Sequence, residues 1–153
     1  MQDGGYRVRG TVRSKTNEEK LAPLKKAFGS NFSRIELVEA DLLNEQSLAD
    51  AIKGCDFVVH TASPFPESEP KDENMIIKPA VEGTLAVMRA AQYNKVKRVV
   101  ITSSSVAIMV HLPNNTKELY NESDWSDLKA CNAYYKSKTL AEKAAWDFLD
   151  ALP

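Results

Sequence analysis

Tyr134 and Lys138 are the two residues of this chain whose types and spacing most directly point to chemistry. Four apart on a helix they stack on one face, one turn apart, where an ammonium lowers the pKa of a phenol or shares a ligand with it. A phenol tuned in this way is a proton donor. The helix is predicted over residues 132–146 and beyond, because Leu140, Ala144 and Phe148, with Ala141, Ala145 and Leu149 beside them, recur at helical spacing as one buried stripe. The same spacing also suits a surface pair on an amphipathic helix. Ser104 is a third candidate, a hydroxyl that follows an apolar run, and it equally suits turn chemistry in the serine-rich stretch Ser103-Ser104-Ser105.

The elements that must position these residues alternate along the chain. Tyr6 to Val12 reads as a strand entered from a glycine turn, and Asn17 to Phe28 as a helix with Pro23 near its middle. A strand over 34–39, a helix over 45–52 closed by Gly54, and a strand over 56–61 follow. Phe57, Val58 and Val59 make the last of these apolar enough for the centre of a sheet. After a loop over 64–70 comes a long helical pattern over 74–93, interrupted at Pro79, and a strand over 98–102. Residues 106–130 are a long irregular connection to the Tyr134 helix. Such alternation predicts an α/β fold, a doubly wound parallel sheet with helices on both faces and a ligand crevice beyond the carboxyl ends of the strands.

Further candidates fall at those strand ends. Arg13, just past the first strand, would face an adenine ribose, where a guanidinium favours a 2'-phosphate, and Lys20 could assist; both also read as solvated surface cations. Asp41 and Leu42 could hold an adenine edge and face, or Asp41 could cap the helix that follows. Thr61, Ala62 and Ser63 are small enough for a cofactor to lie against the backbone.

Composition narrows the function classes. With 153 residues, 43% apolar content and a net charge of -1, the chain has the size of one ordinary soluble domain, and no basic block points to nucleic acid. Cys55 and Cys131 stand alone, without metal spacing, and fit a reducing compartment; no metal site is expected. No apolar run approaches about 18 residues and Met1 to Gly5 has no signal-peptide character, so no membrane partner is expected and the expected location is cytoplasmic.

Taken together, Thr11-Val12-Arg13, Ala40-Asp41-Leu42, Val59-His60-Thr61-Ala62-Ser63-Pro64, Glu82-Gly83-Thr84, Thr102-Ser103-Ser104 and Tyr134-x-x-Ser137-Lys138-Thr139-Leu140-Ala141-Glu142 occur in the order and rough spacing of one family. The chain resembles the extended short-chain dehydrogenase/reductases of the NAD-dependent epimerase/dehydratase superfamily, and within them the dihydroflavonol 4-reductase and cinnamoyl-CoA reductase group. The resemblance implies a Rossmann-like domain and an NADP-dependent oxidoreductase that reduces a ketone or aldehyde, a small-molecule carbonyl, by hydride transfer. It places the catalytic serine, tyrosine and lysine on Ser104, Tyr134 and Lys138: Tyr protonates the carbonyl oxygen, Lys binds the nicotinamide ribose and tunes Tyr, and Ser hydrogen-bonds the same oxygen. It puts Arg13 and Lys20 at the 2'-phosphate, Asp41 and Leu42 at the adenine, and Thr61, Ala62 and Ser63 along the ribose and phosphates. NADP(H) is therefore expected over NAD(H).

The departures from that family carry expectations too. Its members open with a strand and a Gly-x-x-Gly-x-x-Gly turn that holds the pyrophosphate, whereas Met1 to Gly4 matches only the end of the helix after that turn. Residues 1–153 are thus expected to form a partial NAD(P)-binding Rossmann-like domain, truncated of its first strand and of its C-terminal substrate region. The absent strand belongs between the strand at Tyr6 and the strand at Asp56, so a gap of about 10 Å or a collapse is expected there. Cinnamoyl-CoA reductases proper carry Asn-Trp-Tyr-Cys-Tyr-x-Lys where this chain has Asn132-Ala133-Tyr134-Tyr135-Lys136-Ser137-Lys138. Dihydroflavonol reductases place an asparagine where Met109 stands, and methionine cannot replace its hydrogen bonds. The alternatives are an inactive or partner-dependent fragment and a noncatalytic dinucleotide-binding regulator on the same fold.

Overall fold

The structure is a computed structural model that describes residues 4–66, 68–115 and 117–153. Met1 to Asp3, on which part of the glycine-turn comparison falls, lie outside the described residues. In chain order the elements are β1 (Arg9–Val12), α1 (Glu18–Phe28), β2 (Glu36–Glu39), α2 (Glu45–Ile52), β3 (Phe57–His60), α3 (Asn74–Tyr93), β4 (Arg98–Ile101) and α4 (Ala133–Asp150). Three of the helices start on an asparagine whose side chain takes up an orphaned amide: Asn17 accepts from Lys20 N, Asn44 from Ser47 N and Asn132 from Tyr135 N. Gly54, at φ 76°, turns the chain from α2 toward β3.

The first strand is shorter than the pattern at Tyr6 implied, since pairing begins at Arg9. A second correction concerns Pro79, which does not interrupt its helix: α3 runs unbroken for 20 residues. One face of that helix buries Ile76, Ala80, Gly83, Thr84 and Val87, and this burial outweighs the one backbone hydrogen bond the proline removes.

The strands form two parallel pairs rather than one sheet. β1 pairs with β2 from Arg9↔Glu36 to Val12↔Glu39, and β3 with β4 from Phe57↔Arg98 to His60↔Ile101. The sequence placed a gap or a collapse between the strand at Tyr6 and the strand at Asp56, and among the described residues those two strands lie in different pairs. The core lies on the second pair, where Leu48 and Ile52 of α2 meet Ala86, Val87 and Ala90 of α3 over Val58 and Val99. With side chains alternating along a strand, Phe57, Val59 and Val100 point to the opposite face, where about half of each is exposed. β3 is therefore not the central strand its composition suggested. Helices cover one of its faces, and β4 is its one partner among the described residues.

Contacts between the pairs are few and specific. The Arg9 guanidinium donates to the carbonyls of Ala51 and Lys53 at the end of α2, at 3.0 and 2.7 Å. The rings of Tyr6 and Phe57 meet edge to face with centroids 6.3 Å apart. Leu42, after β2, lies so close to Gly83 of α3 that an added Cβ would come within 2.9 Å of its Cδ2. The result is a Rossmann-like α/β arrangement in which the strands of each pair run parallel. Among the described residues no helix is long and apolar enough to cross a membrane.

Candidate active site

The site is built where α4 crosses the end of β4. The face that α4 buries is not the large-residue stripe the periodicity marked. Ser137 and Thr139 are fully buried, with Ala141, Ala145 and Lys138 beside them, while Leu140, Ala144 and Phe148 are half-buried and Leu149 is exposed. Small side chains let α4 approach α3 closely, and Thr84 of α3 lines the same small recess as Lys138 and Ala141. The buried hydroxyls need no outside partner: Ser137 donates to the Tyr134 carbonyl at 2.7 Å and Thr139 to the Tyr135 carbonyl at 2.9 Å.

Close packing carries Lys138 inside. Only 8% of its surface remains exposed, its Nζ donates to the Thr102 carbonyl at 3.3 Å, and burial pushes its pKa down. One turn further along α4, Glu142 accepts a short hydrogen bond from the Ser103 hydroxyl. Two successive residues of the β4 end are thus tied to α4, and the next is Ser104. Its Oγ accepts from Val106 N at 3.4 Å, heading the short turn Ser105–Ala107, and its hydroxyl proton has no acceptor among the described residues. Ser104 thus follows, by two residues, the carbonyl that holds the buried cation.

Tyr134 lies in the first turn of α4, half-buried, and its ring packs edge to face on Phe65 with centroids 5.1 Å apart. Two acids tie the long loop between β3 and α3 to this helix end. Glu69 Oε1 accepts the Ala133 amide at 3.1 Å, and Glu73 pairs with Lys136 at 2.6 Å.

The remaining candidates divide. Ala62 and Ser63, at the end of β3, line a small recess together with Thr102 and Lys138, and Thr61 beside them is exposed. Arg13, just past β1, and Lys20, on α1, are both exposed, and the side chain of Arg13 forms no hydrogen bond or ion pair among the described residues. Asp41 does not cap α2, since Asn44 does; its carboxylate instead accepts the Leu43 amide at 2.8 Å to close a turn. The side chain of Leu42 is committed to Gly83.

Comparison with known proteins now decides the family. The model of the 3-beta hydroxysteroid dehydrogenase/isomerase family matches residues 10–147. The chain belongs to this family. Tetraketide alpha-pyrone reductase 1 of Arabidopsis thaliana is 47% identical over 94% of this chain and 45% of its own length. Dihydroflavonol 4-reductase of the same plant is 43% identical over 98% of this chain and 41% of its own length. Among solved structures, yeast methylglyoxal/isovaleraldehyde reductase complexed with NADPH superposes with a TM-score of 0.76 at 31% identity, covering 97% of this chain and 47% of that one. Vestitone reductase from alfalfa gives 0.72 at 34%, over 97% and 46%. The chain spans a little under half the length of these relatives, which are reductases by name.

Within this member of the 3-beta hydroxysteroid dehydrogenase/isomerase family, three residues of the site escaped the sequence reading. Glu142 could have been found, because it continues the Tyr134 and Lys138 face by one more turn. His60 is buried at the end of β3, and its pKa is held down by that burial and by the charge of Lys138. Phe65 gave no signal, since its contact with Tyr134 joins a loop to a helix some seventy residues on in the chain.

Proposed function

We propose that this chain carries the proton-transfer residues of an NADPH-dependent reductase that converts a ketone or aldehyde to an alcohol in the cytoplasm. The observation that supports the reading is the tether of buried Lys138 to the Thr102 carbonyl, two residues before a serine whose hydroxyl has no acceptor among the described residues. The residues present fit the cofactor at two places. Arg13, exposed just past β1 and without a partner among the described residues, suits a 2'-phosphate, with Lys20 nearby in sequence, and the exposed strand-end residues Thr61 and Ala62, with Ser63 and Lys138, suit a ribose. Asp41 and Leu42, at the end of β2, would line the adenine with what their turn and packing leave free. NADPH supplies the hydride that adds to the carbonyl carbon.

Everything else falls to side chains of this chain. Ser104 Oγ–H donates to the carbonyl oxygen and fixes its direction. Tyr134 Oη gives its proton to that oxygen as negative charge gathers there, so the product is the neutral alcohol and the phenol becomes a phenolate. Lys138, held by Thr102, keeps a positive charge beneath the phenolate until solvent returns the proton. The substrates named for the relatives run from ring compounds such as dihydroflavonols to short aliphatic carbonyls such as methylglyoxal and isovaleraldehyde, and this chain is assigned to small-molecule carbonyls in general.

A second reading is favoured by the two separate strand pairs: a domain whose activity requires a further strand between β1 and β3. Calorimetric titration of NADPH into the folded 153-residue chain separates the two. Micromolar binding that weakens in Arg13→Ala, with NADPH consumption on adding a carbonyl, supports the first. A folded chain that binds no NADPH supports the second.

A further inference from the structure

Two side chains of α4, one turn apart, reach the chain just past β4. Lys138 Nζ donates to the Thr102 carbonyl at 3.3 Å, and the Glu142 carboxylate accepts from the Ser103 hydroxyl. Lys138 has a part in the proton transfer proposed above, whereas Glu142 has none. Its carboxylate is nonetheless committed at both oxygens, since the Trp146 indole donates to Oε1 at 3.4 Å while Oε2 takes the Ser103 proton. Ser103 and Glu142 line the same small recess as Lys138, Ala62 and Ser63, and its titratable residues are His60, Lys138 and Glu142.

The backbone on either side of Ser103 is tied elsewhere. The Thr102 amide donates to the His60 carbonyl and the Ala107 amide to the Ser104 carbonyl, both at 2.9 Å. Ser103 lies between those ties, and its bond to Glu142 is its one hydrogen bond among the described residues. Ser104 is extended, at φ -153° and ψ 149°. Successive side chains of an extended chain point to opposite sides, so anchoring Ser103 on α4 fixes the direction that Ser104 takes.

Resting on the reductase reading above, we propose that Glu142 is a positioning residue: through the Ser103 hydroxyl it fixes both the Thr102 carbonyl that holds Lys138 and the direction of the Ser104 hydroxyl. A bond to a charged acceptor suits this task, because it is shorter and stronger than a neutral one. Placement matters here, since a small displacement of reacting groups costs far more rate than binding.

The test uses the 153-residue chain with NADPH and isovaleraldehyde, and isotope-labelled lysine so that Lys138 is titrated by NMR through the resonance that Lys138→Met removes. Glu142→Ala and Ser103→Ala are each expected to lower kcat by roughly ten- to a hundredfold with the aldehyde KM unchanged. Burial holds the Lys138 pKa below its ordinary value, and in both variants the midpoint rises toward that value as the anchor loosens. The double variant is no worse than either single one, because both break one link. Glu142→Gln, which still offers Ser103 an oxygen, keeps both rate and midpoint. Where Glu142→Ala does not fold, Ser103→Ala, which removes a single oxygen atom, carries the same comparison. A charge acting directly on Lys138 would instead lower the midpoint in Glu142→Gln and Glu142→Ala alike. That result, additive losses in the double variant, or single variants that change neither kcat nor midpoint, overturn the inference. Midpoints that move as expected in a chain that does not consume NADPH uphold the role of Glu142 and overturn the reductase reading alone.

Discussion

The pair β3–β4 with α2 and α3 buries an apolar core, whereas β1–β2 has no buried residue in either strand and α1 buries only Leu21. The first half of the chain is held instead by polar reach: Arg9 to the α2 carbonyls and to Glu36, and the Lys15 amide to Glu39. The candidate site straddles that difference. Ser104, Tyr134 and Lys138 stand on the packed half, and Arg13, Lys20 and Asp41 on the lightly packed one. Proton transfer requires atoms placed to a fraction of an ångström, which packing secures. Attraction of a phosphate by a cation falls off slowly with distance and tolerates an exposed, mobile side chain.

Four changes would sharpen or break this contrast, starting with the largest. Tyr134→Phe should lower turnover of a carbonyl substrate by ~10²–10⁴-fold, while the thermal midpoint stays where it is, because the hydroxyl forms no hydrogen bond among the described residues. Steady-state kinetics and a melting curve check both parts. Gly83→Val, where Leu42 of one half rests on α3 of the other, should cost about 1–3 kcal/mol, read from urea unfolding. Equal stability there would mean that the halves do not depend on this contact.

Next comes Arg13→Ala, which should raise the dissociation constant for NADPH by roughly tenfold and leave that for NADH unchanged. Unfolding free energy should move by less than about 0.5 kcal/mol. Calorimetry with the two dinucleotides decides it. The smallest effect is a pH dependence. Burial and Lys138 lower the His60 pKa in the folded chain, so as pH falls below about 6.5 the unfolded chain takes up a proton that the folded chain refuses. The contribution is fully present above that pH and is lost as pH falls toward the lowered value. His60→Gln should flatten the change in urea midpoint between about pH 7.5 and about pH 5.5, and an unchanged slope would assign the dependence to other groups.

Much of the site was legible because its signals are local. The spacing of Tyr134 and Lys138 on a capped helix, and a serine directly after an apolar strand, are fixed by neighbours in the chain, as was the span of α2. The errors arose where burial depended on distant partners. Pro79 looked like a break because its own peptide loses a hydrogen bond, but α3 is held by packing against α2 and α4. On α4 the large residues looked buried, yet the close approach to α3 selected Ser137, Thr139 and Ala141. β3 looked central by composition, and the number of strands beside it is not written in its own residues.

By itself, the sequence determined the order of strands and helices, the face shared by Tyr134 and Lys138, and the family motifs, since each rests on backbone periodicity or on side chains within one turn. Tertiary structure alone decided that Lys138 would be buried against Thr102, that the strands would form two pairs, and that Phe65 would stand at Tyr134. These depend on which surfaces meet across many tens of residues, and such meetings are set by the shapes and volumes of packed elements that no local pattern encodes.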